Sequence, residues 1–214
     1  MIALVDLSIS NIGSVRHALQ RTGWSGVEPA TADSVSRASA IVIPGVGSFG
    51  DGMASLRQQG LIEPIRCAAT SGVPVFGICL GMQLLASESE EHGVHEGLGL
   101  IEGRVSKLAP TQPGFHVPNI GWCDVRVICP GLLFDSAMGG CFYHVHSFHL
   151  VPKDQNAIAA TINYGGQQVA VAVEEGNIVG VQFHPEKSQD DGLDLLARFF
   201  RRLSTDVRYQ GQPA

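Results

Sequence analysis

The sequence is short of several features that mark whole classes of protein. Its five cysteines form no C-x-x-C pair and no even-numbered framework, which favours free thiols in a reducing cytoplasm over disulfide staples. No apolar run approaches the roughly 18 residues of a membrane helix. The first residues lack the basic segment of a signal peptide. With a net charge of −6 and no basic cluster, the chain has no nucleic-acid footprint, and we expect a cytoplasmic protein that binds neither nucleic acid nor membranes.

The composition that remains is that of one globular domain. The chain has 214 residues, of which 44% are hydrophobic and 16% charged, enough apolar material for a substantial core. We find no internal repeat, low-complexity stretch or linker. The sequence therefore predicts a single domain over residues 1–203, followed by a polar tail at residues 204–214.

The hydrophobic pattern changes character near the middle of the chain. Before residue 87, short and almost wholly apolar strands alternate with helical patterns, which is typical of a doubly wound parallel sheet. Residues 87–97 are acidic and punctuated by glycine, and we expect a surface loop there. From residue 100 onward, successive strands separated by turns, one of them over residues 141–150, predict a largely antiparallel half. A helix over residues 192–203 closes this α/β domain.

A reactive cysteine is predicted at the end of one buried strand. After the apolar residues 73–76, Gly77, Cys79 and Gly81 have the Gly-x-nucleophile-x-Gly spacing of a strand-to-helix elbow. Both glycines are needed, because a Cβ on either side would collide with the neighbouring strand or helix. The positive end of the following helix favours a thiolate, and the thiolate is the reactive form.

A partner for this thiolate lies far downstream in the sequence. The apolar residues 177–183 read as a buried strand, and His184-Pro185-Glu186 follows at its end. The residue before a proline is extended, so His184 and Glu186 can project on the same side of the chain. We expect His184 to face Cys79 while Glu186 holds the other imidazole nitrogen, as in a catalytic triad.

Acyl transfer also requires donors for a developing oxyanion. In an elbow, one donor is the backbone N–H after the nucleophile, which here belongs to Leu80. The glycine loop at residues 44–47 also follows a buried strand, and its Val46 and Gly47 amides are the best candidates for the second donor. Gln83, four residues after Cys79, should share the helix face of the nucleophile.

These residues together resemble the class I (triad) glutamine amidotransferases. Residues 77–83 and 180–186 carry the resemblance, which runs over nearly the whole chain. Three further segments, at residues 44–53, 117–122 and 145–148, resemble the glutaminase subunits of imidazole glycerol phosphate synthases within that family, and residues 187–189 extend the histidine motif. The resemblance implies a glutaminase that forms a cysteine thioester and releases ammonia.

The resemblance also implies substrate contacts, a partner and an interface. Glutamine is expected to contact Gly45, Gln83, His146, Ser147 and Phe148. The implied partner is the cyclase subunit, a (β/α)8 barrel that takes up the ammonia in a heterodimer. Trp122, Asn119 and Lys187 are expected at that interface. The chain departs from the family at Phe148, where tyrosine is usual, at Asn119, where histidine is common, and at Cys123, where asparagine is common.

Other interpretations of the same residues stay open at this point. His144, His146 and His149 invite a metal site, although no carboxylate or cysteine lies at ligand spacing, and we expect neither a metal nor a cofactor. The chain could serve a different synthase in pyridoxal phosphate, purine or aminobenzoate synthesis. It could also be a silent interaction subunit, or a cysteine peptidase or γ-glutamyl hydrolase of the same fold.

Overall fold

The structure is a computed structural model that describes residues 1–7, 12–24, 26–135 and 139–205. The predicted polar tail lies outside the described residues beyond Thr205. Thirteen strands are described within these ranges. They are β1 Ile2–Leu4, β2 Val27–Pro29, β3 Ala40–Gly45, β4 Val75–Cys79, β5 Ala86–Ser89, β6 His95–Glu96, β7 Ile101–Lys107, β8 Asn119–Val127, β9 Gly140–His146, β10 Phe148–Pro152, β11 Ile158–Tyr164, β12 Gln167–Glu175 and β13 Ile178–Val181.

The helices are concentrated in the first half of the chain and at its end. In the described part of the chain, each of them is too short or too polar to span a bilayer. They are α1 Ile12–Arg21, α2 Ala32–Ser36, α3 Phe49–Gln58, α4 Ile62–Thr70, α5 Leu80–Leu84 and α6 Gln189–Thr205.

A nine-stranded sheet forms the centre of the domain, with the strand order β2-β1-β3-β4-β13-β12-β11-β8-β9. The strands from β2 to β13 are parallel, whereas β12, β11, β8 and β9 follow in antiparallel pairs. The predicted α/β fold with a parallel first half and an antiparallel second half is therefore confirmed. The last strand, β13, is inserted beside β4 and runs parallel to it. The carboxyl ends of these two strands therefore lie at the same edge of the sheet.

Two apolar layers cover the parallel part of this sheet. Alternate residues of β3 enter different layers: Val42 packs with residues of α1 and α6, whereas Ile41 and Ile43 pack with residues of α3 and α4. Because both faces are covered, these strands contain hardly any polar side chain, which explains their continuous apolar runs.

The structure differs from the sequence prediction in two places. Residues 87–97 are not a plain surface loop, because β5 and β6 form there and belong to a second sheet of order β10-β7-β5-β6. The acidic β5 is a strand because it pairs with β7, a tertiary contact that overrides its composition. Residues 141–150 were expected to form one strand, but the chain breaks at Ser147 and enters the second sheet as β10.

Candidate active site

Cys79 occupies a strained turn at the junction of β4 and α5. Its backbone has φ 54° and ψ −109°, a conformation that residues with a side chain rarely adopt. Such a conformation costs about 1–3 kcal/mol and persists only where the surrounding structure enforces it. The strand, the sharp turn and the helix of the predicted elbow are therefore all present around this cysteine.

The two glycines of the elbow are required by close backbone contacts. A Cβ on Gly77 would lie 2.5 Å from the carbonyl oxygen of Gly81. A Cβ on Gly81 would overlap the carbonyl oxygen of Ile43 in β3. Any larger residue would therefore push α5 away from the sheet and move the cysteine.

The glycine loop after β3 lies directly beside the nucleophile. Gly45, the last residue of β3, is the parallel partner of Cys79 in β4. Gly47 has φ 94°, which lets the loop turn sharply before α3. Val46 and Gly47 line a cleft of about 350 Å³ together with Cys79 and Leu80. The residues predicted to supply oxyanion donors thus share one cleft with the sulfur.

His184 and Glu186 follow β13, which pairs with β4 along its length. His184 Nδ1 and Glu186 Oε1 are 2.8 Å apart, and both side chains are only 3% exposed. The backbone N–H of His184 donates to the carbonyl of Tyr143 in β9 at 2.9 Å, which fixes the turn. The geometry matches the expected pairing of an imidazole with an orienting carboxylate.

The pKa of His184 reflects this environment. Burial lowers it, but interactions with Cys79 and Glu186 outweigh burial and raise the pKa to about 9. His184 is therefore an imidazolium at neutral pH. Its Nε2 atom is buried and makes no hydrogen bond of ordinary geometry with a described residue.

Gln83 is a largely buried residue of the cleft lining, and its amide nitrogen is used in internal hydrogen bonds. Gln83 Nε2 donates to the carbonyl oxygen of Phe148 at 3.0 Å and to Gln182 Oε1 at 3.1 Å. Gln182 Nε2 in turn donates to the sulfur of Cys79 at 3.7 Å. Gln182 could not be singled out from the sequence, because it stands within an apolar run that is typical of core.

One wall of the cleft is formed where β9 gives way to β10. His146, Ser147 and Phe148 all line the cleft, as the resemblance implied for glutamine contacts. His146 Nδ1 lies 2.9 Å from the carbonyl oxygen of Phe148, and since a carbonyl only accepts, Nδ1 carries the proton. Burial lowers the pKa of His146 to about 4, so this imidazole is neutral at pH 7.

Glu91 is a cleft residue that no sequence motif indicated. It lies between β5 and β6, lines the cleft, and its Oε2 accepts the backbone N–H of Phe49 at 2.6 Å. This bond ties the acidic segment to the first residue of α3. The acidic composition of residues 87–97 was visible in the sequence, but only the second sheet places one of those carboxylates at the cleft.

The outer face of β8 carries the predicted interface residue Trp122. Ile120 and Trp122 are 62% and 48% exposed, which is unusual for such large apolar side chains. Lys187 is exposed nearby, with its Nζ 5.9 Å from the centroid of the Tyr143 ring. Ile120 and Trp122 belong to β8, and Lys187 contacts Tyr143 of the neighbouring strand β9.

The expectation for Asn119 needs correction, because its side chain is buried. Asn119 and Trp122 are three residues apart on one strand, and side chains alternate between the faces of a sheet. Asn119 Nδ2 lies 3.4 Å from His146 Nε2 on the inner face. Its burial argues against direct contact with a partner and assigns it to the support of His146.

The histidines considered as metal ligands do not converge on one point. His144 Nδ1 lies 3.4 Å from His146 Nε2, whereas His149 contacts Gln167 instead. Across residues 1–7, 12–24, 26–135 and 139–205, no group of three or more His, Cys, Asp or Glu side chains is placed to hold a metal ion.

Comparison with known proteins identifies the family. The family described as "Glutamine amidotransferase class-I" matches residues 3–203. The chain belongs to this family. A relative from Moorella thermoacetica named "Imidazole glycerol phosphate synthase subunit HisH" is 44% identical over 92% of this chain and 93% of its own length. A relative of the same name from Rhodopirellula baltica is 42% identical over 93% of this chain and 96% of its own.

A solved structure from Thermotoga maritima, titled "Structure of PurLQS", shares the fold with this amidotransferase. It superposes with a TM-score of 0.73 at 22% identity, covering 94% of this chain and 98% of that chain. The resemblance seen in the sequence, both to the family and to the imidazole glycerol phosphate synthase subunits within it, is confirmed by the sequence relatives.

Proposed function

We propose that this chain is the glutaminase subunit of imidazole glycerol phosphate synthase, which hydrolyses glutamine and passes ammonia to a cyclase subunit in histidine biosynthesis. The single observation that carries the proposal is the strained Cys79 beside the glycine loop and the His184–Glu186 pair. Relatives over 40% identical along almost the whole chain bear the synthase subunit's name. As a cytoplasmic pathway enzyme, it would keep its cysteines reduced.

The reaction follows from the charges in the site. The Cys79 thiolate attacks the side-chain amide carbon of glutamine, and a thioester forms as the C–N bond breaks. His184, an imidazolium at neutral pH, gives its proton to the departing ammonia. The neutral imidazole then takes a proton from water, which attacks the thioester and releases glutamate. Glu186 holds His184 in the required orientation throughout.

The tetrahedral intermediates carry an oxyanion, which needs hydrogen-bond donors directed at it. The Leu80 amide is one donor, and a Val46 or Gly47 amide from the adjacent loop is the second. Removal of one such donor typically costs roughly 10²–10³ in rate. A partner that sets the orientation of this glycine loop would therefore switch the glutaminase on.

The ammonium end of glutamine matches polar groups in the cleft wall. Because both amide hydrogens of Gln83 are used internally, its Oε1 remains to accept a hydrogen bond from the substrate ammonium. The Glu91 carboxylate adds negative charge to the same cleft. Backbone groups of Gly45, His146, Ser147 and Phe148 complete the enclosure.

Ammonia must reach a second active site without entering bulk water, where it would be protonated. The exposed apolar face of Ile120 and Trp122, with Lys187 beside it, fits an interface with the cyclase barrel. We propose that ring synthesis takes place on that cyclase subunit.

The deciding experiment measures glutamate release from glutamine by the purified chain alone, with the cyclase subunit, and with cyclase plus its ribonucleotide substrate. We expect release to rise by about 10²-fold or more only in the full mixture, the effect of completing an oxyanion hole. Rapid release by the chain alone, indifferent to the cyclase, would instead indicate another pathway or a free-standing γ-glutamyl hydrolase.

The matched control is Cys79→Ala in the same complex. Glutamine-dependent synthesis should disappear, while synthesis from added ammonium salts should continue at the wild-type rate. Loss of both activities would mean that Cys79 is structural, and the proposed nucleophile would be wrong.

A further inference from the structure

Gln182 is a polar side chain in a place where the sequence otherwise supplies core residues. It follows β13, is completely buried, and its backbone N–H donates to the carbonyl of Val171 at 2.8 Å. Burying a primary amide is costly unless its polar atoms are bonded. Both side-chain atoms of Gln182 are bonded, one to Gln83 and the other to Cys79.

The orientation of this amide is dictated by its neighbours. The carbonyl oxygen of Phe148 can only accept, so the nitrogen of Gln83 must face it. The second hydrogen on that nitrogen is then donated to Gln182, which must present its oxygen. The Nε2 group of Gln182 is thereby directed at the sulfur of Cys79, 3.7 Å away.

We propose that Gln182 is a further catalytic residue of this amidotransferase: its amide donates a hydrogen bond to the Cys79 sulfur, and Gln83 and the Phe148 carbonyl position that amide. A donor aimed at the sulfur stabilises the thiolate, which accepts hydrogen bonds far more strongly than a neutral thiol does. Gln83 acts through Gln182 and is a positioning residue in this respect.

This relay connects the substrate cleft to the nucleophile. Gln83 and Phe148 both line the cleft, whereas the fully buried Gln182 contacts both Gln83 and Cys79. The titratable groups facing this region are His184 and Glu186 on the triad side and His146 and Glu91 in the cleft wall. His184 supplies a positive charge to the thiolate, and Gln182 supplies a neutral directional donor from another side.

The test measures the rate at which iodoacetamide alkylates Cys79 in the full-length chain, read by peptide mass spectrometry across pH. Cys67 and Cys129 are exposed and serve as internal references in every sample. The variants are Gln182→Met, which fills nearly the same volume without a donor, Gln83→Met, and the double variant. Gln168→Met, at an exposed position on β12, is the matched control.

We expect Gln182→Met to slow alkylation of Cys79 at pH 7 by about tenfold or more, the effect of losing a hydrogen bond to a charged group. The pH of half-maximal alkylation should rise, while Cys67 and Cys129 react as before. Gln83→Met should act in the same direction with a smaller effect, because Gln182 keeps its amide donor and loses only the side chain that positions it. The double variant should match Gln182→Met, since both changes break one relay.

The direction of the change separates this role from a purely structural one. Cys79 is only 6% exposed, so a loosened core would make it react faster. Equal or faster alkylation of Cys79 in a folded Gln182→Met variant overturns the proposal. If circular dichroism shows that Gln182→Met is unfolded, Gln83→Met decides, and a wild-type rate in that variant overturns it.

The inference rests on the proposed role of Cys79 as the nucleophile, and the two can fail separately. A diazoketone analogue of glutamine, applied to the wild-type chain with its cyclase, should label Cys79. Absence of that label would contradict the proposed function, whatever the iodoacetamide rates. A wild-type label combined with unchanged iodoacetamide rates in Gln182→Met would leave the function standing and reject the relay.

Discussion

The imidazole of His184 and the carboxylate of Glu186 form a buried pair, with Nδ1 and Oε1 2.8 Å apart. Only one residue separates them, and Pro185 begins a short 3₁₀ turn that brings the two side chains together. The second carboxylate oxygen, Oε2, is buried without a partner among the described residues. The carboxylate is therefore committed to the histidine.

Replacement of this carboxylate tests its orienting role. Glu186→Gln should lower glutamine turnover by about 10²- to 10⁴-fold, because the imidazole loses both its orientation and its charge partner. The pKa of His184 should fall, since the Glu186 interaction is one of the causes that raise it. The measurement is glutamate release against pH in the cyclase complex, with ammonia-dependent synthesis as the control. A turnover near wild type, as expected for the exposed control Glu96→Gln, would contradict the assignment.

The elbow glycine Gly81 gives a prediction on stability. Gly81→Ala should destabilise the fold by about 3 kcal/mol or more, because its Cβ would overlap a backbone oxygen that cannot move without the strand. Urea unfolding gives the comparison. Gly26→Ala is the matched control: its Cβ would meet only Met1 Cα at 3.7 Å, an ordinary contact. Equal unfolding midpoints for the two variants would disprove the packing argument.

Buried His144 should make the protein sensitive to acid. Burial, with the neighbouring histidines, lowers its pKa from 6.5 to about 3, so the folded state keeps it neutral while the unfolded state protonates. Its contribution to stability is complete above pH 6.5 and is lost as pH falls toward 3. Each pH unit below 6.5 then costs about 1.4 kcal/mol.

His144→Phe removes this titration. The stability difference between the variant and the wild type should therefore shift in favour of the variant by about 2 kcal/mol between pH 7 and pH 5. Urea titrations at both pH values measure the shift, and any packing effect of the phenyl ring cancels in the difference. A shift of zero would mean that His144 titrates alike in both states.

Trp122 should be a hot spot for the partner. Trp122→Ala should weaken binding of the cyclase by about tenfold or more, as expected when a central aromatic is removed from an interface. Titration calorimetry with the cyclase measures this, and the fold of the isolated chain should be unchanged. Val151→Ala is the control, since Val151 is 42% exposed on the second sheet, away from β8. Equal affinities of both variants for the cyclase would mean that this face of β8 is not part of the interface.

The elbow around Cys79 and the turn that holds His184 and Glu186 could be recognised in the sequence, because each depends on local spacing. The elbow needs a glycine two residues to either side of Cys79, and the structure shows a backbone contact that excludes a Cβ at each. His184 and Glu186 are paired by the geometry of a single proline turn. The alternation of apolar strands and helices likewise reflects a sheet that is covered on both faces.

Long-range placement was decided by the tertiary structure alone. Insertion of β13 beside β4 brings residues about 100 positions apart into one site, and no local pattern encodes that neighbour. The second sheet gives Glu91 its place at the cleft and splits the expected strand at Ser147. Gln182 reads as part of an apolar run, and only its contacts with Gln83 and Cys79 distinguish it from core. Motifs that depend on neighbouring residues along the chain can be recognised in the sequence, whereas the pairing of strands across the sheet depends on the packing of the whole domain.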